Sequence, residues 1–540
     1  MASVAWTYDG ATTLVATITG ATVSEQYGLT AVGAGLTCTP DEETAVATTL
    51  VLTVADLADM SVVYFTGRVY RVSDGAFLDI HGFTLGTASS YTPAAPPQGR
   101  FVVAFTDPPL EESPTWTVLD QYSQTWRVVG WTTTAGRNTE RDKTEPGSAT
   151  ITITDRDGAW DPTNPFSPYA TDLVPGKQAG ILLQNPVTEE WSWRFRGWID
   201  DIDVELDSAL NATTVTVELV DIFTRLAGVE MMPGEIGDTP PAGVEADVYF
   251  NETSGPRELA GRMDDILHTL GIPTSRQRIF TGNVQLQATT YSRREQVLTA
   301  LVDAADAEFP GVANLYPSKD GLIVYHGRLA RFVPEDYEAS SDAERDAANS
   351  IMFWSAGTPD ISEADVTVAP IRALGFGIGA SDIINDALAL PMFVDDTDVP
   401  SSFVEDTGSK AAYGVKSVSF PDLIVLSGPA GETAVHHTKM IATYYVDNYN
   451  APHERIRRLE FVSNDPDVFS GPAMWAFLCG VDISDVITVT TNHPGGGGFA
   501  ADYFVERIET SAAPGSDGFD IVTMSLDVSP RAFYDTDPFS

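Results

Sequence analysis

The sequence predicts a mainly β chain with α+β insertions, divided among several domains, and three observations carry that reading. Short runs of Val, Ile, Thr and aromatic residues recur between Gly, Asp, Ser and Pro turns. Apolar residues fall at helical spacing in three places, all after residue 250. At 540 residues and 43% hydrophobic content, the chain can bury several cores, at roughly 100 to 200 residues per domain.

Residues 1–92 read as an N-terminal β-sandwich, with strands in "ATTLVATIT", "TTLVLTV", "SVVYFTGRVYRV" and "AFLDIHGFTL". The Ser, Pro and Gly of "SSYTPAAPPQGR" lack periodicity and mark a linker at 93–100. Residues 101–226 carry seven evenly spaced strands, as in an antiparallel barrel. Residues 227–333 read as an α+β domain. Its first helix places Leu259, Met263, Ile266, Leu267 and Leu270 on one stripe and stops at Gly271 and Pro273. Its second places Val297, Leu298, Leu301, Val302 and Ala305, and Asp320-Gly321 marks a hairpin. Residues 334–400 read as an irregular acidic excursion with few elements. Residues 401–540 read as a helix, "AGETAVHHTKMIATYYVDNYNAP", followed by a second, smaller barrel.

With 31 basic against 76 acidic residues and a formal charge of −45, a phosphate-tracking groove is excluded over most of the surface. An acidic wall can instead let a polyanion slide past. Cys38 and Cys479 are too far apart in sequence to read as a disulfide framework or a CxxC-type zinc site. The N-terminus lacks a basic stretch followed by an apolar core, and no apolar segment nears the roughly 20 residues that span a bilayer. The expectation is a chain made in the cytoplasm without a membrane span.

In "ATITITDRDGAWDPTN" a strand runs into Asp155, Asp157, Gly158 and Asp161. A calcium loop needs six or more oxygens and commonly closes with a bidentate Glu. Here Trp160 and Pro162 interrupt the series and no Glu closes it, which favours a turn over a metal site. Trp191, Trp193 and Phe195 alternate along one strand and are expected to share a face. That stripe reads as core or interface packing ahead of a carbohydrate platform. Arg455, Arg457 and Arg458 stand out in so acidic a chain, as a solvated strand edge or as a dock for an acidic neighbour. His436 and His437 are adjacent and so point about 100° apart on a helix, without the i, i+4 spacing of a zinc pair. The Gly-rich "HPGGGGFAAD" lies between strands and reads as a hairpin tip, not a phosphate cradle. No local nucleophile or P-loop signature is present, and carboxylate pairs such as Asp200 and Asp201 carry no information on glycoside hydrolysis without geometry. The chain is expected to be no enzyme and to need no cofactor.

The succession "GRNTERDKTEPGSATITITDRDGAWDPTNPFSPYATDLVPGKQAGILL", then "FRGWIDDIDVEL", resembles minor tail proteins of long, non-contractile-tailed phages (siphophages) of actinobacteria. The matching residues are Gly136, Arg137, Gly147, Ala149, Thr150, Asp157, Gly158, Asp161, Pro162, Thr163, Asn164, Pro168, Tyr169, Leu173, Pro175, Gly176, Phe195, Arg196 and Gly197. Downstream, "REQVLTALVDAADAEF", the Asp320-Gly321 hairpin, "YGVKSV" and "VDISDVITVT" follow the order of baseplate-hub proteins at the tail tip. The resemblance covers about residues 100 to 535 and leaves the N-terminal domain outside. It implies a virion structural protein: a trimer whose two barrels per chain match the sixfold tail tube to a threefold tip, lining the DNA exit channel. Implied partners are the chain itself, the tail tube or distal tail protein, the tape measure protein and other baseplate or receptor-binding proteins. A distal tail ring or receptor-binding role, and a cell-wall hydrolase, are the competing readings.

Overall fold

The structure, a computed structural model, describes residues 128–539 with their side chains, apart from 157, 168, 170–172, 186–187, 189, 207–212, 233–235, 240–247, 253–258, 293, 336–350, 358–367, 394–401, 430, 464–472, 492–497 and 514–520. Before residue 128, and at strand ends within those gaps, it gives strand backbone alone. Seven N-terminal strands are β1 (Ser3–Tyr8), β2 (Thr13–Thr19), β3 (Tyr27–Val32), β4 (Leu36–Pro40), β5 (Thr49–Val54), β6 (Val63–Arg71) and β7 (Phe77–Leu85). They form two sheets, ordered β1-β2-β5-β4 and β3-β6-β7. The packing expected of a sandwich, Cys38 and the linker at 93–99 lie outside the described residues.

The next strands are β8 (Arg100–Asp107), β9 (Thr115–Asp120), β10 (Trp126–Gly136), β11 (Glu145–Asp155), β12 (Gln178–Gln184), β13 (Trp191–Asp207) and β14 (Ala212–Val220). In β11 the alternation of Ala149, Ile151 and Ile153 with Ser and Thr becomes buried against partly exposed positions, as period 2 requires. Helix α1 (Ile222–Gly228) follows directly, its first turn capped by the Asp221 carboxylate, which accepts from the backbone N–H of Phe223 and Thr224.

The α+β unit contains β15 (Val248–Phe250), α2 (Glu258–Thr269), β16 (Gln277–Ile279), β17 (Gln285–Leu286), β18 (Thr289–Tyr291), α3 (Val297–Glu308), β19 (Asn314–Pro317), β20 (Ile323–His326) and α4 (Leu329–Phe332). Both predicted helices and the hairpin are present, and Gly321 takes the left-handed φ of +75° that the turn demands.

The stretch expected to be irregular is more ordered than its composition indicates. It supplies β21 (Phe353–Gly357), β22 (Ala369–Pro370), β23 (Ala373–Ile378) and β24 (Asp386–Pro391). Pairing with distant strands overrides local propensity there, since β21 runs parallel to a strand more than 130 residues away. The chain continues with β25 (Phe403–Glu405), α5 (Thr407–Tyr413), β26 (Ser417–Leu423), β27 (Val425–Ser427), α6 (Ala434–Tyr449), β28 (Glu454–Val462), α7 (Pro472–Gly480), β29 (Val486–Asn492), β30 (Gly498–Pro514) and β31 (Asp520–Pro530).

The two expected barrels are not separate. Their strands share one fourteen-stranded sheet, curled as a half-barrel, along β22-β21-β29-β30-β10-β11-β14-β13-β12-β8-β9, with β31, β28 and β23 branching from β30. The link is β10, which pairs with β30 from Trp131↔Ala512 to Gly136↔Arg507. One core cluster accordingly holds Ile151, Ile181 and Val217 of the first strand set together with Leu459, Trp475 and Met524 of the second.

Candidate functional site

β30 has β31 along Tyr503–Pro514 on one side. On the other side β29 occupies Gly498–Phe504 and β10 occupies Arg507–Ala512. The changeover falls at Glu506, where the register with β31 skips between Val505 and Arg507. A residue at such a bulge is unpaired and its side chain is re-aimed. Glu506 turns inward and is 1% exposed.

Its carboxylate is fully engaged. Arg137 Nε donates to Oε2 at 2.7 Å, Arg331 Nη1 to Oε1 at 2.7 Å and Nη2 to Oε2 at 3.2 Å, and the Ser529 hydroxyl to Oε1 at 2.6 Å. Arg331, 1% exposed, also lies 4.4 Å over the Phe504 ring. Burial alone would raise the Glu506 carboxyl, but the two guanidiniums outweigh it and hold it below its usual range. Next to it, Glu140 receives both terminal nitrogens of Arg455, at 2.8 and 2.9 Å, and the Tyr449 hydroxyl at 2.8 Å. Burial opposes ionisation there too, yet the Arg455 contacts bring the carboxyl down to about 2. This is a buried ionic seam in which both carboxylates are paired with guanidiniums, and its groups are already committed to one another.

Two of the motif residues, Gly136 and Arg137, lie at that seam, and others hold the strands beside it. Gly136 has φ +106°, and a Cβ there would lie 2.1 Å from the Glu506 carbonyl oxygen. Only glycine admits so close an approach of β10 to β30. Arg137 N–H then donates to that same carbonyl at 2.9 Å. Gly147 meets the Asp221 carboxylate, which accepts its N–H. Burial pushes Asp221 up to about 7, against the pull of the three backbone donors. Gly197 lets β13 close on β14, since a Cβ would stand 2.1 Å from the Val220 carbonyl. Arg196 lies 5.4 Å over the Trp193 ring, its backbone against Gly321.

The acidic cluster is a turn. Asp155 is buried and accepts from Gly158 N at 3.2 Å and Trp160 N at 2.7 Å. Asp161 caps the next turn through Thr163 N and Oγ1, beside Pro162. Gly158 and Gly176, the latter just after Pro175, adopt φ of +73° and +89°. Asp157 lies outside the described residues. No group of metal-ligating side chains occurs among the described residues.

Two expectations need correction. Trp191, Trp193 and Phe195 do not share a face, because a bulge at Arg194 breaks the alternation: Leu182 faces Trp193 while Ile181 faces Phe195. Phe195 is buried with Ile181, whereas Trp191 is 40% exposed on the other face. The Arg455 cluster is not uniformly solvated. β28 has β23 alone as neighbour through Arg458, as at an edge, but Arg455 is buried on Glu140. Arg457 and Arg458 are exposed and pair with Asp382 and Glu460. His437 sits in the core, with Nε2 near the Ala307 and Glu308 carbonyls, while His436 stays at the surface.

Sequence reasoning missed Glu506, Arg331, Glu140, Arg194 and Lys319. The one local signal was a charge at the centre of the apolar run "YFVERIE". Arg194 and Lys319 close the C-terminus of α7: Arg194 donates to the Leu478 and Val481 carbonyls and Lys319 Nζ to Cys479 and Gly480.

No family model matches the chain, and no curated protein matches it. Among solved structures it is similar to the tail protein from Neisseria meningitidis MC58, with a TM-score of 0.43 and 8% identity over 81% of this chain and 98% of that one. Among the described residues no helix is long and apolar enough to cross a membrane.

Proposed function

We propose that the chain is a structural component of a phage tail, and within the tail the hub at its tip, acting by assembly and not by catalysis. One observation carries the reading. Gly136 and Arg137, quoted above for their resemblance to tail proteins, are the residues that let β10 of the first strand set close on β30 of the second, so that the two sets merge into one sheet. Residues that permit such a close approach build a wall, and a half-barrel wall closes into a tube when several copies stand side by side. The net charge of −45 fits a channel that keeps DNA mobile.

Imaging of the particle tests it. Three copies ringed below the tail tube uphold the hub. Six copies would make the chain a distal tail ring, and a peripheral position would make it a host-binding component. A neutral or basic lumen wall would remove the channel argument, and cell-wall lysis in a zymogram the non-enzymatic one. One observation favours host contact as the second reading: Trp191 and Trp193 lie on the face opposite the core, where aromatic rings can meet a sugar.

A further inference from the structure

Two edges of the shared sheet are open, and they match. From β23 the sheet runs through β28, β31, β30, β10, β11 and β14 to β13, eight strands joined by antiparallel pairs throughout. On its outer side β13 keeps β12 only as far as Trp198, and residues 201–206 have β14 alone. β23 has β28 alone. Among the described residues neither stretch has a second neighbouring strand.

Both edges end the same core. Ile202 of β13, and Leu374 and Phe376 of β23, pack against one apolar cluster. The rows continue into solvent as Val204 and Leu206, 37% and 71% exposed, and as Ile378, 70% exposed. The opposite faces carry charge. On β13 it is Asp201, Asp203 and Glu205, all exposed. On β23 the alternate positions are Gly375 and Gly377, with Gly379 just beyond, and they make room for cations from β28. A Cβ would stand 2.8 Å from Arg457 Cγ at Gly377, 2.9 Å from Arg457 Nη2 at Gly379, and 3.4 Å from Arg458 Cβ at Gly375. Arg457 therefore lies over the edge strand itself. It pairs there with Asp382, and Arg458 with Glu460.

We propose that residues 201–206 of β13 in one copy of the chain pair antiparallel with β23 of a second copy. An even number of alternating strands leaves the two edges running in opposite directions, so copies rotated about one axis meet antiparallel. Val204 opposite Phe376 sets Ile202 beside Ile378, Leu206 beside Leu374, and Asp203 beside Gly377 and its Arg457. A slip of one residue would set the apolar row against the acidic one. Like edges do not suit each other: β13 on β13 opposes carboxylates, and β23 on β23 opposes guanidiniums. β23, "ALGFGI", also carries no charge or proline to guard an edge left open. The Ile202 N–H, held at 2.8 Å by the Asp201 carboxylate, exchanges that bond for a carbonyl of the incoming strand. The inference rests on the reading of the sheet as a wall shared by neighbouring copies, and names the contact between them.

Sedimentation of the full chain over a range of concentrations tests this, with Asp203→Arg, Arg457→Asp and both together, each checked for folding by its melting temperature. The parent should self-associate, each single reversal should weaken association about tenfold or more, and the double variant should recover it by rebuilding the ion pair across copies. Leu206→Ser removes an exposed side chain from the apolar row and should weaken association at an unchanged melting temperature. A parent that stays monomeric, single variants or Leu206→Ser that associate like the parent, or a double variant no better than the singles would each overturn the proposal. Copies that meet through other strands in an imaged ring would overturn these edges and leave the hub reading intact. A chain absent from the ring would end the hub reading, while association through these edges would still stand.

Discussion

Glu506 is the residue on which most depends, because one carboxylate compensates two guanidiniums that have no water to turn to. Glu506→Gln leaves Arg137 and Arg331 charged and buried, and should cost about 3–5 kcal/mol in denaturant unfolding. Gly136 and Gly176 separate two costs that positive-φ glycines usually confound. Gly176 has open space around a Cβ, so Gly176→Ala should lose only the left-handed penalty of about 1–2 kcal/mol. Gly136→Ala adds a collision with the Glu506 carbonyl and should lose clearly more, in the same unfolding assay. The buried carboxyls give the pH dependence. Burial raises Asp485 to about 7, although it accepts from Trp354 Nε1 at 2.9 Å and Met352 N at 3.1 Å. A carboxyl raised on folding contributes stability that is complete below its ordinary value near 3.8 and is lost as pH rises through about 7. Asp221 acts in the same direction. Glu140 acts oppositely, but its contribution is lost only as pH falls from about 4.5 through about 2. The buried imidazoles of His326 and His437, which burial holds down to about 3 and about 4, oppose that trend up to about pH 6.5, so melting temperature should fall mainly between pH 6.5 and 7.5, and Asp485→Asn should flatten that slope. An unchanged slope would show that Asp485 is ionised throughout.

Helix α7 tests how elements are held. Its last carbonyls meet Lys319 and Arg194, from the β19–β20 hairpin and the β13 bulge, so a helix of the second strand set is closed by cations from elsewhere in the chain. Lys319→Met keeps the stem and removes the donor. It should cost about 1–3 kcal/mol through unsatisfied carbonyls and speed hydrogen exchange of α7 amides before those of β11. Elements of this chain were legible where a local pattern carried them. α2, α3 and α6 announce themselves by a 3.6-residue stripe, and the Asp320-Gly321 hairpin by its turn chemistry. α7, "PAMWAFLCG", is apolar all round, so no stripe separates it from a buried strand. The face of Trp193 was misread because a one-residue bulge leaves no mark in composition. Arg455 looked solvated because its partner, Glu140, is 315 residues away. The turn at Asp155 was readable since its donors lie within five residues, and the seam was not, since its members come from four distant segments.

The shared sheet makes a claim about the whole molecule. Had the two strand sets been separate barrels, a break in one would leave the other standing, and unfolding would resolve into two steps. Instead β10 is hydrogen-bonded to β11 on one side and β30 on the other, and the core beneath runs from Ile151 through Leu459 without a boundary. Both sets should then open as one cooperative unit. In hydrogen exchange read by mass spectrometry, peptides from β11 and β31 should report the same opening free energy. Glu506→Gln should lower both by the same amount, even though the mutated carboxylate bonds to Arg137, Arg331 and Ser529 and to none of the residues of β11. If β31 loses protection while β11 keeps it, the pairing of β10 with β30 joins two independent units and the seam is an interface between domains. Equal loss means that the stability of the sheet is set at the seam, and that a distortion at one strand set is transmitted directly to the other.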